Sequence, residues 1–276
     1  MAAIVGAGIR LDLDGPRPVA PPHSLLSTEG VVVARDDGRW LNGVNIMPYP
    51  ADVPSLWEPC SEGTFRIKDE GLGVDIVTFD AFVCYIPVTC SSLGIRQDLA
   101  GQAETVLEAT YSMGVEQALA SGVVGSSNPY FGDANLNILG GGAVSAAVAL
   151  SYLEDAIGET GRMGVIHATP AIVSALAADK LEGTEEGALV TANGTPVVSG
   201  DGYIGADPDN GTSPSAGQGW MFATGPVEVR IGPVVITELA ETLDRSDNSI
   251  TFRAERYVLA TWDGVLQSGV LVDWSP

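Results

Sequence analysis

Apolar positions along this chain change period several times, and each change predicts an element. From Val74 to Thr89 (VDIVTFDAFVCYIPVT) β-branched and aromatic residues dominate, which predicts strand. Pro87 near its end points to an edge position or a bend. From Arg96 to Ser121 the spacing becomes helical. Leu99, Ala103, Val106, Leu107, Thr110, Tyr111, Met113, Gly114 and Ala118 fall on one broad stripe. Asp98 stands where an acid complements the start of a helix, and Gly122 where a helix ends. Such a helix is a rod of about 40 Å, long for a domain of this size.

After a Gly- and Asn-rich loop (125–142) the pattern turns α/β. A helix is expected over 144–157, with Val144, Val148, Leu153 and Ile157 on one side, then a short buried strand over 163–168 (MGVIHA). Thr169-Pro170 reads as a cap with proline in the first helical position, opening a helix that carries Ile172, Val173, Leu176 and Leu181. Residues 189–191 and 195–198 read as a hairpin around Asn193-Gly194. A polar loop over 200–219 precedes strands at 220–223, 227–231, 250–262 and 265–274, with Asp263-Gly264 as the turn between the last two. No repeat of a solenoid or propeller is present.

The first 75 residues lack this regularity. Pro16, Pro18, Pro21 and Pro22 predict an extended arm over 1–35, which cannot bury its own apolar groups and must lie on the rest of the chain or on a neighbour. Residues 36–75 are punctuated by Pro48, Pro50, Pro54 and Pro59. They carry Trp40, Met47, Tyr49 and Trp57 without a core of their own, and only 64–68 alternates like a strand. A long irregular excursion of this kind is functional or interfacial.

Composition narrows the function classes. Asp and Glu number 35 against 13 Lys and Arg, a net charge of −22. Nucleic-acid binding through a basic surface and docking on an anionic membrane are both disfavoured. The apolar share of 45% is that of a folded protein. No stretch is apolar for long enough to span a bilayer, and the opening residues predict no secretory signal. Cys60, Cys84 and Cys90 form no CxxC pair, so free buried thiols are expected, not a zinc site.

Candidate chemistry is sparse. His23 lies in the arm, and His167 in a predicted strand with no nucleophile motif beside it, which favours a structural histidine. Gly6-Ala7-Gly8 lacks the third glycine of a dinucleotide site. The acidic stretch 201–211 (DGYIGADPDNG) fails the calcium-loop pattern, because Gly211 occupies the fifth position where a ligand belongs. The sequons at Asn193 and Asn210 carry no weight without a secretory signal. Glu154-Asp155 and Glu185-Glu186 read as solvated faces. No enzyme, cofactor or metal site is expected.

The order of parts, a proline-rich arm, a long excursion, a rod-like helix, an α/β middle and a return to strands, resembles the major capsid protein of tailed bacteriophages, the fold also used by encapsulin shells. The likeness runs from about Val74 onward. IVTFDAFVCYIPVTCSSLG leading into IRQDLAGQAETVLEATYSMGVEQALASG is similar to the family's β segment and spine helix. Glu116, Leu119 and Gly122 match the pattern that closes that helix. GVIHATPAIVSAL and Gly194-Thr195-Pro196-Val197-Val198 resemble the family's axial elements. ATGPVEVRI and LDRSDNSITFRAERYVLATWDGVLQSGVLV resemble its return strands, most closely in actinobacteriophage versions.

This resemblance implies an α+β capsid fold in four parts: an N-terminal arm (1–35), an extended loop (36–75), a peripheral domain with the spine helix (76–128 and 226–276) and an axial α/β domain (129–225). It implies hexamers and pentamers closing into an icosahedral head around double-stranded DNA, with an encapsulin-like cargo shell as the alternative. Trp40, Met47, Tyr49, Trp57, Phe65 and Lys68 are the expected inter-subunit contacts, each large apolar group worth about 1.5–3 kcal/mol when buried. The arm is too short for the scaffolding segment some relatives carry, so a separate scaffolding protein is expected, with a portal and a cement or decoration protein. Some relatives cross-link a loop Lys to a neighbour's Asn with the help of a Glu. Lys68 is well placed, but Asp247 or Asn248 and Ala254 or Glu255 fall on or one off the partner positions, so noncovalent locking is expected. The implied location is the virion capsid, assembled in host cytoplasm.

Overall fold

The computed structural model describes residues 16–35, 38–47, 49, 76–91, 98–178, 182–185, 188–205, 213–238 and 249–275. A 3-10 turn at Leu25–Ser27 precedes β1 (Val31–Ala34), and a second at Arg39–Asn42 precedes β2 (Val44–Ile46). Then come β3 (Val77–Phe79), β4 (Phe82–Ser91), α1 (Leu99–Ser121), β5 (Asn137–Ile138), α2 (Ala146–Thr160), β6 (Val165–Ala168) and α3 (Pro170–Ala178). They are followed by β7 (Glu182–Glu185), β8 (Ala188–Thr191), β9 (Val197–Ser199) and a 3-10 turn at Asp201–Tyr203. The chain ends in β10 (Gln218–Thr224), β11 (Val227–Glu238), β12 (Ser249–Trp262) and β13 (Gln267–Asp273).

Two main sheets organise these elements. The first has the order β1-β11-β12-β4, with β1 parallel to β11 and the other pairs antiparallel. Pro87 has no backbone N–H to donate and sits on β4, an edge strand, as its chemistry requires. The second has the order β5-β13-β10-β6-β9. β6 is buried at every position because both its faces are covered: Ile166 and Ala168 join the core under α2 and α3, while Val165 and His167 face the other way. Phe131 joins the two sheets. Its ring lies edge-on to Trp262 of β12 at 5.1 Å and also meets Phe222 of β10 and His167 of β6.

The long helix forms as its sequence predicts. Asp98 caps it by accepting from the Gly101 N–H at 2.9 Å, and Gly122 ends it at φ +79°. The buried stripe differs from the expected one in its second half. Ala103 and Leu107 pack on Ala254 of the first sheet, as the spacing indicates. Beyond them Ser112, Val115, Glu116, Leu119 and Ala120 are buried, while Thr110 and Met113 are exposed. The helix crosses from the first sheet to the inter-sheet core, so its inward face changes along its length.

Several strand expectations are corrected. Asp263-Gly264 does turn the chain, but the strands on either side part company: β12 stays in the first sheet and β13 crosses to pair with β10 over seven residues. The division at 226–276 therefore cuts through the second sheet, to which 267–273 belongs. The turn at Asn193-Gly194 forms, with Gly194 at φ +84°, yet β8 pairs with β7 and β9 runs parallel to β6. A single bridge, Val190 to Pro196, remains of the expected hairpin. The expected strand at 64–68 lies outside the described residues.

Candidate assembly surfaces and the buried polar network

The described end of the arm lies on its own subunit. Leu25 is fully buried against the core and β1 adds a parallel strand to β11. Trp40 is 3% exposed and belongs to the same core, near Gly232. It has almost no surface left for a neighbour, which corrects its assignment as an inter-subunit contact. The cause is the 3-10 turn over 39–42, which folds the indole inward. Met47 and Tyr49 are 68% and 78% exposed, so both are free to be covered by another chain. Trp57, Phe65 and Lys68 lie outside the described residues.

An apolar face that the sequence pattern did not single out lies on the first sheet. Tyr85 of β4 is 60% exposed. Val83, Tyr257 and Val235 are exposed on the same side: Val83 is registered with Tyr257, Tyr85 with Glu255, and Val235 with Glu255. The period-2 alternation that put Cys84 and Ile86 against the helix puts these residues outward. Arg253 lies over the Tyr85 ring at 6.0 Å and pairs with Glu255, giving the face a polar border. Beneath the sheet, Arg256 clamps β12 to α1 through both oxygens of Glu108 and stacks on Tyr111 at 4.5 Å.

The inter-sheet core holds a polar network. His167 is fully buried between the Tyr203 hydroxyl (3.0 Å from Nδ1) and Thr224 Oγ1 (2.9 Å from Nε2). Thr224 donates its own proton to the Gly225 carbonyl, so it accepts from Nε2–H, and Nδ1 accepts from Tyr203. A neutral imidazole satisfies both contacts, and burial lowers its pKa to about 3. This is the structural histidine that the sequence indicated. Burial likewise pushes the Cys84 thiol up to about 11, leaving it an inert group against the helix.

Glu116 was legible only as part of a helix-end motif, and its partners were not. Its carboxyl is 1% exposed and accepts from Leu25 N–H (3.1 Å), Ser112 hydroxyl (3.2 Å) and Gly202 N–H (3.3 Å). It thus ties the arm, the long helix and the turn after β9. The signal available was an acid inside the run Ser112, Val115, Leu119. Gly200 and Gly202 approach so closely that an added Cβ would collide with the Glu116 side chain. Among the described residues no cluster of His, Cys, Asp or Glu could hold a metal.

No family model matches the sequence, and no curated protein matches it. Solved structures do match its fold. The structure of Gordonia phage Cozz aligns with 99% of this chain and 92% of its own at TM-score 0.52 and 14% identity. The capsid of an empty GTA particle aligns over 96% of both chains at TM-score 0.55 and 15% identity. The structure of Mycobacterium phage Adephagia aligns with 100% of this chain and 97% of its own at TM-score 0.53 and 11% identity. Two sheets bridged by a spine helix, with the return strands shared between them, define an α+β architecture. The chain has the fold of tailed-phage major capsid proteins.

Proposed function

We propose that this chain is the major capsid protein of a tailed phage, assembling into hexamers and pentamers of an icosahedral head that encloses double-stranded DNA. The observation that carries the reading is the fold correspondence with phage and GTA capsid structures over 96–100% of the chain. The four-part organisation follows, with the second sheet, α2 and α3 as the axial unit and the first sheet with α1 as the peripheral unit. Exposed Met47 and Tyr49, at the start of the extended loop, support burial between subunits. The net charge of −22 supports a wall that holds DNA without adhering to it. A separate scaffolding protein, a portal and a cement protein complete the particle, built in host cytoplasm. Noncovalent contacts lock it, with Met47, Tyr49, Trp57, Phe65 and Lys68 contributing. No helix among the described residues is long and apolar enough to cross a membrane.

The test is size-exclusion chromatography and negative-stain microscopy of the expressed chain, alone and with the products of neighbouring reading frames. Capsomers or closed shells are expected, with DNA as the contents of native particles. Shells filled with a protein cargo would move the reading to an encapsulin-like compartment. A monomer under every condition would overturn it.

A further inference from the structure

Residues 16–22, ahead of the turn at 25–27, are exposed apart from the arm's few anchors to the body of the subunit. Those anchors include the Leu25 side chain in the core with Leu26 packed beside it, buried Ser24 and Thr28, the Ser199 N–H donated to the His23 carbonyl at 2.8 Å, the Val227 N–H donated to the Gly30 carbonyl at 3.3 Å, and the Leu25 N–H donated to Glu116. We propose that Glu116 is a latch for the arm: this buried carboxyl is the ionisable one among the contacts that hold segment 16–30 on its own subunit, and its ionisation sets how firmly the segment is held.

The surroundings of Glu116 show why ionisation matters. Its donors come from three places: Leu25 on the arm, Ser112 on its own helix and Gly202 on the turn after β9. The charge that faces it is that of Asp201, of like sign, and no cation is set against it among the described residues. Tyr203, on the same turn, has its hydroxyl engaged with His167 and its own proton held far above the usual range, so it remains neutral. The arm residues at the contact, Ser24 to Ser27, carry no charge, and His23 and Glu29 stand on either side of them. An ionised carboxyl is therefore taken out of water with hydrogen bonds but no counter-charge.

Burial, the largest influence, raises the acid above its ordinary range, against the smaller opposing pull of its three hydrogen bonds. Release of the arm opens the site to water and lets the carboxyl return to that range. The docked state thus binds the proton more tightly than the released one. Docking is firmest in acid and weakens as pH rises through the raised value.

Hydrogen exchange read by mass spectrometry on the full-length unassembled chain tests this, across a pH series corrected for intrinsic rates. Peptides over 20–30 report the arm, and peptides from β11 and β12 report the body. In the wild type the arm's protection should fall as pH rises from the ordinary glutamate value through the raised one, with β11 and β12 unchanged. Glu116→Gln, which keeps His23 and Glu29, should make arm protection independent of pH. Glu116→Ala leaves two buried N–H groups unpaired and should lower arm protection about ten- to hundredfold at every pH. The proposal is overturned if Glu116→Gln keeps the wild-type pH profile, if Glu116→Ala leaves the arm protected, or if arm and body exchange in step. Should Glu116→Ala fail to fold, Glu116→Gln decides alone.

Discussion

Acid should destabilise this subunit through His167, and the size of the effect follows from its site. The folded imidazole is fully buried and neutral, satisfied by Tyr203 and Thr224, with its pKa lowered to about 3. In the unfolded chain the same group titrates near the ordinary histidine value of about 6.5. Between those limits the unfolded state binds the extra proton, so stability is lost as pH falls and regained as it rises. The slope is at most about 1.4 kcal/mol per pH unit. From pH 7 to pH 5 the loss integrates to about 2 kcal/mol, and to about 4–5 kcal/mol over the whole window. For a domain stable by about 5–15 kcal/mol this is a large fraction. The assay is equilibrium denaturation of the unassembled chain, followed by tryptophan fluorescence, at pH 7 and pH 5 for the wild type and His167→Gln. Glutamine can bond both hydroxyls and does not titrate, so its own baseline stability cancels in the comparison. The wild type should lose about 2 kcal/mol more than the variant. Parallel losses in the two proteins would refute the reasoning.

Other substitutions separate subunit stability from assembly. Trp40→Ala should destabilise the isolated subunit by about 3–5 kcal/mol in denaturant titrations, since the indole lies in the core. Met47→Ser with Tyr49→Ser should leave that stability within about 0.5 kcal/mol and instead reduce the yield of shells seen by negative stain. Arg256→Ala should cost about 1.5–3 kcal/mol in the same titration by breaking the two-pronged contact with Glu108, which is half exposed and can return to water. Gly202→Ala forces a methyl into the Met113 carbonyl and Glu116 and should cost about 1–3 kcal/mol, read as a lower thermal midpoint.

Much of the fold was legible because its signals are short-range. The long helix could be placed to within a few residues from its cap at Asp98, its period and Gly122. Pro87 pointed to an edge position or a bend because the missing donor is a property of the residue itself, and β4 proved to be an edge strand. His167 read as structural because nothing reactive stood near it. The inward face of the helix beyond Leu107 was not legible, because period alone does not say that the surface packed against it changes partway along. Trp40 looked interfacial because a proline-rich segment has no periodicity to show that it folds back. Glu116 could be seen as one letter of a helix-end pattern, but its partners lie 91 and 86 residues away in the chain.

The sequence by itself determined where the long helix starts and stops, that the segments around β4, β6 and β10 to β13 are strands, which class of fold the order of parts resembles, and that the net charge is strongly acidic. Each of these depends on chemistry within a few neighbouring residues: period, caps, turns and charge. Only the tertiary structure decided that β12 and β13 enter different sheets although one turn joins them, that the end of the arm lies on its own subunit, and that Tyr85 and Tyr257 share an outward face. The reason is that strand pairing and burial compare surfaces brought together from distant parts of the chain. Alternation in one strand says that a face is apolar, but only the assembled sheets show what covers it.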